Sequence, residues 1–142
     1  MNLKTLSIMK NHDDYLNAVI SEYIYSKPYV LNFVPMPDRK LKAVWLPAGH
    51  GINPDAISPN AVYLPPNYLV RPSTIWTTLI PAMREKHSWC FNDFVLKLGT
   101  VDISLNQTTF MRNVYVAALS VLGIDWEEMY EKLGKNPPAP VS

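Results

Sequence analysis

Nine of the chain's thirteen prolines fall between Pro28 and Pro72. Proline has a fixed φ and no backbone N–H, so this middle zone is closed to long helices. Between the prolines lie three short apolar runs, YVLNFV, LKAVWL and AVYL. Their β-branched and aromatic residues favour strands. The prolines cannot donate to a ladder, which confines those strands to short or edge positions. PMPDRK between the first two runs reads as a hairpin connection, and PAGHGINPDAISPN as a loop with many turn signals.

Helical patterns flank this zone. Leu16, Val19, Ile20 and Tyr23 recur at i, i+3, i+4 and i+7 and share one helix face. Asn11 or Asp13 can cap that helix, Asp13 and Asp14 suit its positive end, and Lys27-Pro28 stops it. After Ser73 the period is helical again. STIWTTLI opens with Ser/Thr caps, and Pro81 kinks that helix or starts a new turn. FNDFVLKL sets Phe91, Phe94, Val95 and Leu98 on one face, pairs Asp93 with Lys97, and stops at Gly99. TTFMRNVYVAALSVL has two adjacent apolar stripes, which makes it a buried central helix ending at Gly123. Asp125 caps a last helix, with Glu128 placed for a capping box and with Trp126, Met129, Tyr130 and Leu133 facing inward. The expected fold is one α+β domain over residues 1–135. It has an N-terminal helix, a small Pro-interrupted antiparallel β-element in 28–72 and a C-terminal helical bundle in 73–135. A flexible Pro-rich tail, 136–142, follows.

Composition narrows the function. Of 142 residues, 48% are hydrophobic, enough for a core without staples. The formal charge is +1, without the basic surplus of a dedicated nucleic-acid domain. Residues 1–72 carry seven Lys/Arg against five Asp/Glu, and residues 73–142 six against seven. Cys90 is the sole cysteine, so no internal disulfide forms and a Cys-based zinc site lacks partners. The start, MNLKTLSIMKNHDD, has too short an apolar run for a signal peptide, and no segment approaches a membrane span. A cytoplasmic protein with no cofactor, no metal and no membrane partner is the expectation. No glycine pattern cradles a phosphate.

WCFNDFVLKLG resembles the second helix of the phage-repressor (Cro/CI-like) helix-turn-helix domain. VAALSVLGIDWEEMYEKL resembles that family's last two helices, and the resemblance runs from about Ser73 to Gly134. It implies a DNA-binding transcriptional regulator whose recognition helix presents polar side chains to the major groove. Thr108, Thr109, Arg112 and Asn113 would then read bases. Only TVDISLN separates Gly99 from QTTFMRNVYV, too little for a separate recognition helix, and Asp102 would face phosphates. The DNA reading therefore ranks second.

The feature with most functional content is the aromatic, basic middle zone. Arg39, Lys40, Lys42, Trp45, Tyr63, Tyr68 and Arg71 mix the residue types that anchor protein interfaces. Rigid proline loops also lose little entropy on binding. The first expectation is a non-enzymatic protein-interaction module, such as an adaptor or an inhibitor of the kind carried by phages or plasmids. The same aromatics can instead form a small core between strands and helices, or stack on single-stranded nucleic acid. A third reading is a small enzyme using His50, which sits between two glycines in AGHGIN and can approach a substrate closely. His12, Asp13 and Asp14 lack metal-ligand spacing, and Cys90 beside Trp89 and Phe91 reads as a small buried hydrophobe.

Overall fold

A computed structural model of the chain describes residues 12–141. The cap expected of Asn11 lies outside them. Helix α1, His12–Tyr23, buries Leu16, Val19 and Ile20 as the period requires, and also Asn17, Ala18 and Ser21. So much of it is covered because it stands between two apolar clusters. Leu16, Val19 and Ile20 join the helical core, whereas Ala18 joins Leu31, Phe33 and Trp45 of the β-element. Tyr15 and Tyr130 pack against both. The helix ends with Ser26 at φ 59, where its N–H donates to Glu22 O at 3.1 Å and the Lys27 N–H to Ser21 O at 2.8 Å. These bonds satisfy carbonyls that Pro28 cannot reach.

Strands β1, Tyr29–Pro35, and β2, Leu41–Pro47, pair antiparallel with Phe33 opposite Ala43 and Leu31 opposite Trp45. Their connection is a three-residue loop. The Met36 N–H donates to Lys40 O at 2.9 Å, and Arg39 takes φ 66 at the position where such loops need a left-handed residue. The third apolar run, AVYL, was expected as a strand but forms none. It touches β2 through one backbone–backbone hydrogen bond, Trp45 N–H to Tyr63 O at 3.0 Å. Pro65 and Pro66 beyond it have no N–H with which to extend a ladder, and the carbonyl of Ala61 is taken by the Lys42 ammonium. The tail crosses β1 on the other side, where the Val141 N–H donates to Phe33 O at 2.9 Å.

The second half is helical throughout. A π-turn, Ile75–Leu79, leads into α2, Ile80–Lys86, and so admits Pro81. The wider turn relieves the clash that a proline ring makes with the carbonyl four residues back. Helix α3, Phe91–Leu98, buries Phe94 and rests Phe91 and Leu98 against the core. Val95, expected on that face, is about half exposed. Lys97 reaches not Asp93 but Ser120 Oγ, at 2.7 Å, because α4 packs directly beside α3. Gly99 has right-handed helical angles, so it supplies no left-handed stop. The Thr100 N–H and Oγ1 close that end on Lys97 O instead.

Helix α4, Gln107–Val121, is the central helix the stripes predict, with Met111, Val114, Tyr115, Ala118 and Leu119 buried. Asn106 caps it by accepting from the Thr109 N–H at 3.0 Å. Gly123, at φ +80, ends it with the Ile124 N–H bonded to Leu119 O and its own N–H to Ser120 O. Helix α5, Trp126–Lys135, begins at Asp125, which accepts from the Glu128 N–H at 3.2 Å. Glu128 itself pairs forward with Lys132.

Candidate functional site

The antiparallel register settles which backbone groups of the hairpin face outward. Bonds from Met36 N to Lys40 O and from Ala48 N to Pro28 O mark the closely bonded pairs at both ends. Closely bonded pairs alternate with wide ones, so Val34–Lys42, Asn32–Val44 and Val30–Leu46 bond within the ladder. The backbone groups of Leu41, Ala43 and Trp45 then point away from β1. The outward bond from Trp45 N to Tyr63 O agrees with this assignment. Beyond that one bond, the N–H groups of Leu41 and Ala43 meet no backbone acceptor among the described residues.

Beside this edge is a groove of about 760 Å³ between β2, the hairpin turn, Asp14 of α1 and the segment Pro59–Leu64. Its size falls in the usual range of ligand-binding clefts. The 61–64 segment alternates. Ala61 and Tyr63 are half-buried, while Val62 is 77% and Leu64 46% exposed. In an extended segment, alternate side chains share a side, so Val62 and Leu64 form an apolar rail along the groove. Lys42 bridges from β2 to this segment. Its ammonium donates to Ser58 O at 2.6 Å, Pro59 O at 3.0 Å and Ala61 O. It lies 5.3 Å from the centre of the Tyr63 ring, a cation–π contact. Tyr63 in turn accepts from the Ser58 N–H at 3.0 Å. Burial and the neighbouring Asp13 charge raise the Asp14 carboxyl above its ordinary pKa.

The residues proposed from sequence divide into two groups. Arg39, Lys40, Lys42, Trp45 and Tyr63 gather at the hairpin and its groove. Trp45 is only 5% exposed, however, and packs with Leu31 and Phe33, so it is a core residue whose edge lines the groove. Tyr68 lies elsewhere, stacked on Tyr25 at 5.0 Å with its hydroxyl donating to Ser21 Oγ at 3.1 Å. Arg71 is exposed ahead of the π-turn. The sequence reading overlooked Met36, Leu41, Ala43, Val62 and Leu64. The detectable signal was AVYL between Pro59 and Pro65, an alternating run that its prolines prevent from completing a strand.

The alternative candidates are placed as follows. Thr108 and Asn113 are exposed, and Thr109 is held by the α4 cap. Arg112 is engaged with Asp13 through two hydrogen bonds, at 2.7 and 3.2 Å, and is the one cation in residues 99–113. Asp102 is held ionised by hydrogen bonds from Ser104, which lower its pKa. His50 is exposed on its loop. The His12 ring packs at 4.7 Å on Tyr130, Asp13 pairs with Arg112 and Asp14 lines the hairpin groove. Among the described residues no cluster of side chains suits a metal, and no helix is long and apolar enough to cross a membrane.

Cys90 is buried, with its Sγ donating to His87 O at 3.5 Å, and burial pushes its thiol pKa up. Thiolate is the reactive form. Labelling by a maleimide at pH 7 should therefore be slow in the folded protein and complete in denaturant. Fast labelling in buffer would show an accessible thiol. No family model, no curated protein and no solved structure matches the chain.

Proposed function

We propose that this protein is a non-enzymatic protein-interaction module, an adaptor or an inhibitor, that binds its partner along the hairpin groove. The observation that carries this reading is the pairing of exposed apolar side chains, Val62 and Leu64, with a groove beside β2 that none of the described residues fills. Exposed apolar surface next to a concave site is characteristic of recognition surfaces. Arg39 and Lys40 supply a basic rim. At the α4 start the cation Arg112 is engaged by Asp13.

The test is capture of a host protein on the immobilised chain, followed by binary binding with the purified partner. Val62→Glu places a charge on the rail and should weaken binding at least about tenfold. Arg112→Ala should leave it within about twofold. Binding indifferent to Val62→Glu would remove the groove from the function. Salt-sensitive duplex binding lost in Arg112→Ala would move function to α4 and to DNA.

A further inference from the structure

We infer that the groove is a strand-acceptor site. The outer edge of β2 takes up an extended segment of a protein partner, apolar at alternate positions and acidic at the end lying against Arg39 and Lys40. This inference rests on the protein-binding reading above and specifies its chemistry.

The backbone supplies the first argument. A sheet edge with unfilled donors and acceptors is a template for one more strand. Such edges are ordinarily blunted by covering them. Here the cover is partial: Tyr63 O meets Trp45 N, whereas Leu41 and Ala43 receive no backbone bond from the loop. The stretch of that edge left without a loop bond, Leu41 to Ala43, runs about 7 Å, enough for two or three residues of an incoming strand.

Side chains supply the second argument. A strand laid there sends alternate residues toward the apolar groove lining, which includes Met36, Leu41, Val62 and Leu64. The intervening residues face away, so only every second position needs to be apolar.

Charge supplies the third. Arg39, Lys40 and Lys42 form no ion pair among the described residues. Asp38, the acid of the turn, is already held by the Lys40 N–H at 2.9 Å. Lys42 is met by three carbonyl oxygens and the Tyr63 ring, with no carboxylate among these contacts. The rim therefore favours a segment that brings its own carboxylate.

The experiment selects peptides from a displayed random library on the full-length protein and measures the enriched peptides by fluorescence anisotropy. The expected peptides alternate apolar residues and carry an acidic residue at one end. Their binding should protect the Ala43 and Leu41 amides from hydrogen exchange. N-methylation at alternate peptide positions should each cost about tenfold in affinity, and methylation between them should cost little. Ala43→Pro removes an N–H that the ladder does not use and should abolish binding, while Ala43→Ser retains it. If Ala43→Pro unfolds the protein, the N-methyl series decides alone.

Peptides that bind without that two-residue period and without protection at Ala43 would overturn strand addition and leave the groove as a peptide site. Failure to enrich any peptide, or binding unaffected by Val62→Glu, would overturn the groove reading too. Protection of Ala43 that rises with protein concentration alone would make the occupant a second copy and overturn the choice of a foreign partner.

Discussion

Trp45→Ala is expected to lower the stability of the protein by about 3–5 kcal/mol, the usual cost of truncating a buried aromatic to alanine. The residue is 5% exposed and packs with Ala18, Leu31 and Phe33, and its ring lies 6.1 Å from that of Tyr15. Removing it opens a cavity where α1 meets the hairpin, and the rigid helix cannot collapse to fill it. For a chain of this size the loss corresponds to about 10 °C or more in Tm. Urea denaturation at pH 7 measures it directly. Arg39→Ala, on the exposed turn, should shift stability by less than about 0.5 kcal/mol. A loss below about 1 kcal/mol for Trp45→Ala would show that the ring is not part of a packed core. The same result would return Trp45 to the list of surface anchors.

Lys42→Met should cost about 2 kcal/mol and release the segment 58–64. A charge-assisted hydrogen bond contributes more than a neutral one, and this ammonium makes three, to Ser58, Pro59 and Ala61. Water can replace part of that, since Ser58 and Pro59 are exposed, so the net figure stays well below three full bonds. Methionine keeps the aliphatic stem and loses only the cation. Arginine should not rescue it, because a planar fork cannot converge on three carbonyls as a compact ammonium does. Hydrogen exchange is the decisive measurement. The Ser58 N–H, bonded to Tyr63 Oη, should exchange faster in Lys42→Met, and amides of α4 should not change. Unaltered exchange at Ser58 would mean that the loop stands without its tether.

Local chemistry made much of the fold legible. The prolines of 28–72 excluded long helices there, leaving room only for the short 3-10 turn Pro54–Ala56, and two of the three apolar runs became the hairpin. The stripes on α4 and the glycine at position 123 located the central helix and its stop. Mistakes arose where a residue's partner is distant in sequence. Lys97 faced Asp93 one turn away by spacing alone, but α4 brings Ser120 closer. Val95 had the right period for a core face, but its position on α3 leaves it about half exposed.

The candidate site divides in the same way. Composition singled out the middle zone as the aromatic and basic part of the chain, and Arg39, Lys40, Lys42 and Tyr63 do gather there. Residue type could not separate Trp45, which is core, from Val62, which is exposed, because both are apolar and burial depends on what packs above them. Nor could spacing show that the N–H of Ala43 points outward, since that depends on strand register. Local sequence thus determined where helices and strands are allowed, through proline's missing donor and the helical period. Tertiary structure decided which apolar groups are covered and which outward backbone groups of the hairpin meet a partner, because those depend on contacts between residues far apart in the chain.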